Sequence, residues 1–405
     1  LGSAKLIENP ETNKINSNVH NLDIVVHASL GLASGSSAAF FAVLATRLGA
    51  SPWLLALISS SPYLTNLLAP FWIREAKRFG TRYLIFSSLL IASIVLLALS
   101  FARSALSFSL LVLFYYIFYG ISEPMYVALA EIIYPEHTGK YLGKVQSIFN
   151  AVHGISNIVG GWLLHVWGIF ITLSIAALST VVGAFSYLPF PNLKSTDSEE
   201  NATPWKIFRE DELVRKFTLV FMVAGTGMVM MLPAMPLIEV NRIKLSNLQI
   251  GFLLGTNSIA LILFTRLWGS INESPRYLST TFRLGMLAIT LMAILYAVSK
   301  SFYILLIANF LCGIGGSAIS VGWQLFAINI SDYNTGDLAA LHLLTCGIRG
   351  LFAPAFGALL IAIKNPALAM WVSGILVLAG SFLLPSNKEV LVKAGYNDDY
   401  EDNKA

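Results

Sequence analysis

Charge is what this chain has least of. Asp, Glu, Lys and Arg make up 12% of its 405 residues, against about 25% in soluble domains. Hydrophobic residues make up 56%, and the mean hydropathy is +0.70. A water-soluble fold could not hide so much apolar surface, so a soluble protein is excluded. Cysteine is almost missing. Cys312 and Cys346 both sit inside apolar blocks, which leaves no disulfide framework, metal-ligand spacing or redox motif. No basic run with interleaved aromatics is present, and nucleic acid is not an expected partner. HExxH, GxSxG, paired intramembrane aspartates and Cys/His clusters are missing, so no enzyme chemistry, metal or cofactor is expected. The missing P-loop argues against ATP-driven transport. Long polar stretches are scarce too. The longest are residues 1–23, 191–216 and 385–405. The first of these is polar and precedes an apolar run too long for a signal-peptide core.

What remains is apolar blocks of membrane-spanning length. A membrane helix needs about 20 such residues. The chain offers twelve: about 24–47, 52–73, 83–102, 106–133, 141–166, 169–189, 217–239, 247–268, 281–299, 302–330, 338–363 and 366–384. Two of the separations, at Trp167-Gly168 and at Asn365-Pro366, are very tight turns. Helices are required because lipid offers backbone groups no hydrogen-bond partner.

Lys and Arg set the orientation. Of the 26 in the chain, 19 lie in the N-terminus, the even-numbered loops, the C-terminal tail and their flanking helix ends, and 6 lie in the odd-numbered loops. Both termini are therefore expected in the cytoplasm. The halves also resemble each other at an offset of about 195 residues. Arg82-Tyr83-Leu84 recurs as Arg276-Tyr277-Leu278, and Arg47 and Ser51 as Arg242 and Ser246. Gly120-Ile121 recurs as Gly313-Ile314, Thr138-Gly139 as Thr335-Gly336, and Gly161 with Leu163-Leu164 as Gly357 with Leu359-Leu360. The offset spans six helices. An even number makes the repeats parallel, related by an axis along the membrane normal. The expected fold is an all-α membrane protein of twelve transmembrane helices, in two six-helix bundles related by a pseudo-twofold axis. Its expected parts are a tail (1–23), a bundle (24–190), a cytoplasmic linker (191–216), a second bundle (217–384) and a second tail (385–405).

Twelve spans, cytoplasmic termini, a parallel six-plus-six repeat and a polar central linker resemble the major facilitator superfamily. Local motifs carry the resemblance in part. That family's loop after span two usually reads Gly-x-Leu-Ala-Asp-Arg-x-Gly-Arg-Arg. Here Arg74, Glu75, Arg78, Gly80 and Arg82 occupy the stretch, without the expected Asp. The family's drug exporters often carry Arg-x-x-x-Gly in span four, where this chain has Tyr116 before Gly120. Their span-five Gly-Pro-x-x-Gly-Gly stands here as Ser156-Asn157-Ile158-Val159-Gly160-Gly161. The resemblance implies a secondary transporter working by alternating access.

Glu123 and Arg349 are the charged residues deepest in the expected spans. A charge at a helix centre costs roughly 2.5–3.5 kcal/mol on insertion scales and usually faces a cavity or a partner. In the resembled fold, spans four and eleven belong to opposite bundles. Glu123 and Arg349 are therefore candidates for a proton site or an inner gate. His153 aligns with Arg349 under the repeat, and Asn157 lies one turn further on. His27 and His342 read as interfacial residues. Spans four and ten line the cavity in the resembled fold, which points to Tyr116, Tyr119, Tyr126, Asn309, Trp323 and Gln324; span seven adds Met228. A permanent ion pair and ordinary packing are the bland readings of the same residues. The expected function is proton-coupled export of a small, partly apolar solute from a plasma or bacterial inner membrane, by a monomer in contact with lipid. Uptake or exchange of an organic anion through Arg349 is the alternative. A non-transporting receptor or assembly factor on the same scaffold is the alternative of another class.

Overall fold

Several helices start where the sequence supplies a cap. In the computed structural model, Ser51 precedes Pro52 and accepts a hydrogen bond from the Leu54 N–H, starting α3. Ser246 and Gln249 form a reciprocal capping box that starts α12. Ser51 and Ser246 are thus equivalent in role as well as in the repeat. Capping of this kind satisfies N–H groups that lack an intrahelical acceptor. Asp211 caps α10, and Asn365 before Pro366 caps α16. At Trp167-Gly168 the chain turns through a left-handed glycine, φ +79°, a conformation that glycine adopts without Cβ strain.

The structure describes residues 10–134, 138–192, 204–272, 275–329 and 335–394, and among these no strand occurs. The helices are α1 (Pro10–Ser36), α2 (Phe41–Arg47), α3 (Pro52–Phe79), α4 (Thr81–Leu99), α5 (Ala105–Tyr119), α6 (Ser122–Ile133), α7 (Thr138–Val166), α8 (Gly168–Ser186) and α9 (Pro204–Glu210). Then come α10 (Glu212–Met230), α11 (Ala234–Pro236), a π-helical turn (Leu237–Arg242), α12 (Asn247–Ile271), α13 (Leu278–Val298), α14 (Phe302–Asn329), α15 (Thr335–Ile363), α16 (Pro366–Phe382) and α17 (Asn387–Lys393). Among the described residues, eight helical stretches are long and apolar enough to cross a membrane, or nine with α16 and α17, which meet at 54°. α5 is apolar but shorter, and it is separated from α6 at Gly120-Ile121. α1 begins well before residue 24, so Asp23 lies inside a helix and not in a tail.

Helices pack on the same neighbours in both halves. α1 packs on α7 and α8, as α10 packs on α15 and α16. α4 packs on α5 and α8, as α13 packs on α14 and α16; α3 packs on α5, as α12 packs on α14. The duplicated Arg-Tyr pairs form the same contact, with Arg82 4.5 Å above the Tyr83 ring and Arg276 5.7 Å above Tyr277. Two long helix pairs join the halves, α3 with α15 and α7 with α12, and α2 also touches α11 and the π-helical turn. α17 folds back on α10 through Lys216–Glu389 at 2.8 Å and Lys393–Asp211 at 3.3 Å. The Lys216 ammonium and the Ser386 backbone N–H hold the Glu389 carboxyl below its usual range. That contact is present at neutral pH and weakens as acid protonates Glu389.

The α7–α12 crossing depends on glycine. A Cβ at Gly161 would stand 2.8 Å from Gly251 Cα and 2.7 Å from Asn247 O. Gly161→Leu is therefore expected to part the helices at this point. Overpacking costs about 1–3 kcal/mol, so the closed crossing should lose about fivefold or more in population. Thiol labelling of a cysteine at Leu254 in a Cys312→Ser, Cys346→Ser background measures this; an unchanged rate would show that the crossing tolerates bulk.

Candidate functional site

Arg349 is one of four expected site residues that the fold brings together. Met228 on α10, Trp323 and Gln324 on α14, and Arg349 on α15 line one cavity of about 260 Å³. Phe221, Met286, Ser320 and His342 also border it. The Arg349 Nη1 donates to the Phe221 carbonyl at 2.5 Å, and Nη2 reaches Cys346 Sγ at 3.1 Å. Its Nε is buried and has no acceptor among the described residues. Gly225 makes this placement possible, because any Cβ there would collide with the guanidinium. On α15, His342, Cys346 and Arg349 follow at helical spacing along one face. The His342 ring stacks on Trp323, with centroids 4.1 Å apart and planes 19° from parallel. Phe221 meets both rings edge-on, at 5.3 and 5.6 Å. His342 is a wall of the cavity, where its position near a span end suggested an interfacial role.

Other expected residues lie elsewhere. Asn309 is buried and donates to the Tyr296 hydroxyl at 2.8 Å, and that hydroxyl donates to Glu239 Oε1 at 2.8 Å. Glu239 is itself buried, in the π-helical turn after α11. Tyr116 packs against Phe41, with centroids 6.1 Å apart, and its carbonyl accepts from Thr65. Tyr119 stacks on the buried Tyr115 at 5.1 Å. His153 stacks on Phe149, and its backbone lies against Gly31 and Gly35 of α1. Glu123 lies in α6, and its side chain is outside the described residues.

Tyr126 points to a cluster that sequence reasoning missed. Asp23 is fully buried, and its Oδ2 accepts from Tyr126 at 2.7 Å and from Tyr134 at 3.1 Å. His27, one turn on, places Nδ1 2.9 Å from the Asp23 carbonyl and 3.2 Å from Oδ1. The i, i+4 spacing of Asp23 and His27 and the tyrosines of span four were available signals. In the sequence, Asp23 closes the polar segment 1–23 and stands apart from the apolar blocks that hold the others.

The halves are tied at the end of the molecule that carries Arg47. Arg47 Nε donates to Asn247 Oδ1 at 3.0 Å and Nη2 to Leu245 O at 2.7 Å. Asn247 Nδ2 donates to Leu164 O at 3.4 Å. Deeper in, Ser60 donates to Leu351 O at 3.3 Å and Asn157 Nδ2 to Ser258 Oγ at 3.1 Å. Among the described residues these are the hydrogen bonds that cross between the halves. Ser258 is 11 residues into α12, about 17 Å at 1.5 Å per residue, so the ties stop near the middle. At the opposite end, Arg74 lies 3.6 Å from Glu75, and Arg78 lies 5.2 Å above the Phe79 ring. Gly80 turns at φ +87°, and Arg82 donates to the carbonyls of Leu188 and Phe190. Those contacts all stay within the first half. Among the described residues no group of three His, Cys, Asp or Glu side chains could hold a metal ion.

An all-helical bundle with long apolar helices, and a largely apolar cavity that holds a guanidinium, is a layout suited to a membrane transporter. Comparison with known proteins gives the family. The Major Facilitator Superfamily profile matches residues 24–271, and the chain belongs to that superfamily. Its function is transport and not enzymatic. A staphyloferrin B transporter of Staphylococcus aureus (strain NCTC 8325 / PS 47) is 23% identical over 340 residues, 80% of this chain and 81% of the relative. A POT family transporter solved with 5-aminolevulinic acid superposes with a TM-score of 0.73 at 13% identity, covering 90% of this chain and 95% of that one. The nucleoside transporter NupG gives 0.69 at 11% identity, covering 95% and 100%. These structural likenesses concern the fold.

Proposed function

We propose that the protein exports a small, partly apolar organic solute by alternating access, with twelve spans arranged as two six-helix bundles that rock against each other. One observation carries this reading: every described hydrogen bond between the halves lies between the Arg47 end and the middle. Such an arrangement suits a state closed at the Arg47 end and open at the linker end. The repeated helix neighbours support two equivalent bundles. The excess of Lys and Arg places the linker end in the cytoplasm, so this state faces inward. The relatedness to a staphyloferrin B transporter supports an organic solute.

The test is accessibility. In the cysteine-free background, a cysteine at Ser147, on the exposed linker-end turn region of α7, and one at Leu254 should label in opposite proportion as the transporter is driven between states. Labelling that never alternates would remove the rocking mechanism. Fast labelling of a cysteine at Ser198 from outside intact cells would reverse the orientation.

Glu123 is the proposed carrier of the coupling proton. A carboxylate deep in a span is costly to keep charged without a partner, so its proton affinity depends on what faces it. Rocking changes those surroundings, and coupling requires that dependence. Glu123→Gln is expected to keep the fold and solute binding but abolish accumulation driven by an imposed pH gradient in liposomes. Full accumulation by that variant would leave Glu123 a structural residue and remove it from coupling.

A further inference from the structure

Among the described residues, the Arg349 charge has no counter-charge in its cavity. We propose that Arg349, backed by the Trp323–His342 stack, is the binding subsite for the carboxylate of an organic anion. This assignment rests on the transport reading above and names the class of solute that reading leaves open.

The argument begins with the cost of the charge. A guanidinium within the membrane is expensive unless an anion or a water-filled cavity compensates it. Among the described residues no carboxylate lies within 4 Å of Arg349. Its partners are a carbonyl and a thiol, both neutral. A guanidinium has five N–H donors in a planar fork. Two of them are used, one on each Nη. Nε is buried against Gly225 and closed to a ligand, so the remaining N–H groups of Nη1 and Nη2 are the ones a cavity ligand can meet. A carboxylate suits them, because its two oxygens match that pair of nitrogens.

A purely structural arginine would be a poor solution here. Joining α15 to α10 through the Phe221 carbonyl needs a donor, not a charge, and Gln could supply it. The fold instead leaves α10 without a side chain at Gly225, where any Cβ would meet the guanidinium. That opening holds Arg349 at the cavity wall.

The rest of the cavity describes the body of the solute. Trp323 and His342 offer a stacked pair of rings, Phe221 an edge, and Met228 and Met286 adaptable apolar surface. Gln324 and Ser320 supply the neutral polar groups. At about 260 Å³, the cavity is at or below the small end of the ~300–1,000 Å³ range of ligand pockets. It fits a small carboxylic acid, or one acid-bearing arm of a larger molecule.

The experiment is a thermal-shift series on the purified full chain with benzoate, citrate, benzamide and benzylamine as probes. A ligand that binds only the folded state raises apparent stability. The acids should raise the melting temperature, and benzamide and benzylamine should not. Arg349→Gln should abolish the acid shift, and Arg349→Lys should retain a weaker one, because an ammonium keeps the charge but lacks the fork. Gly225→Ala displaces the guanidinium while leaving it in the chain, and should raise the half-saturating benzoate concentration tenfold or more. It carries the test if Arg349→Gln does not fold. A benzamide shift equal to that of benzoate, an acid shift surviving in the Arg349→Gln and Gly225→Ala proteins, or no shift with either acid would overturn the assignment. Cysteine labelling that still alternates in those cases would keep the transport reading intact. Labelling that never alternates would remove that reading while leaving the acid shift to be judged by itself.

Discussion

Asp23→Ala should be the most damaging single substitution outside the cavity, lowering the melting temperature of the purified protein by far more than Asp23→Asn. Asp23 is fully buried and is the acceptor for the Tyr126 hydroxyl at 2.7 Å and the Tyr134 hydroxyl at 3.1 Å. Alanine removes the acceptor and leaves both hydroxyls in place. An unsatisfied buried donor costs about 1–3 kcal/mol, so the Tyr126 hydroxyl alone accounts for a loss of that size. The His27 ring, 3.2 Å from Oδ1 and 4.6 Å from the Tyr126 ring centroid, loses a neighbour as well. Asparagine keeps one oxygen in the same place and should cost about 1 kcal/mol, the net worth of an ordinary hydrogen bond. Tyr126→Phe removes a donor instead of an acceptor and should also be mild. In the double variant Asp23→Ala, Tyr126→Phe, the penalty should fall below the sum of the two singles, because no Tyr126 hydroxyl is then stranded. Equal melting temperatures for Asp23→Ala and Asp23→Asn would show that the carboxylate oxygens do not matter as acceptors.

That cluster marks the limit of what the chain discloses without its fold. Asp23 stands at the edge of an apolar block, and depth was read from position along the block. The helix that carries it starts at Pro10, and α6 and the residue that ends it, Tyr134, cover Asp23 from the side. Its burial therefore comes from neighbours more than a hundred residues away. The stacking of His342 on Trp323 was hidden for the same reason, since the two lie on different helices.

Helical phase was the second obstacle. In water, the apolar stripe of a helix tells which face is buried. In lipid, the outer face is as apolar as the packed one. Nothing in the sequence of α14 says that Asn309 turns towards Tyr296 and Glu239 while Trp323 and Gln324 turn towards the cavity. Glu239 went unnoticed because it sits at the end of its apolar block, like Asp23. Features with a local cause were legible. Ser51 and Ser246 cap the helices they precede, and Arg82 and Arg276 each lie over the tyrosine that follows. The scarcity of intramembrane charge singled out Arg349 before any neighbour was known. The convergence of Met228, Trp323, Gln324 and Arg349 needed the fold only to show which faces meet.

Arg47→Ala should shift the protein towards the state open at the Arg47 end. In the structure, the Arg47 guanidinium holds two acceptors across the divide, Asn247 Oδ1 at 3.0 Å and Leu245 O at 2.7 Å. Both lie at the start of α12, so the side chain ties the end of α2 to the opposite half. Hydrogen bonds from a charged donor contribute about 1.5–3 kcal/mol each when well shielded. Arg47 is exposed to water, which reduces that worth. A combined loss of about 1–2 kcal/mol is expected, which corresponds to a population shift of about 5–30-fold. Lysine keeps the charge but not the fork, and should fall between arginine and alanine. Asn247→Ala removes one acceptor together with its own donation to Leu164 O, and should shift the balance in the same direction. The measurement is the labelling rate of a cysteine at Leu254, taken from the Arg47 side in reconstituted vesicles. Solute release on that side should speed up, and rebinding from the linker side should weaken, because one equilibrium governs both. Net transport should therefore fall even though the cavity is intact. A labelling rate at Leu254 that is the same for arginine, lysine and alanine would sink the latch. The α7–α12 glycine crossing would then be what keeps the Arg47 end closed.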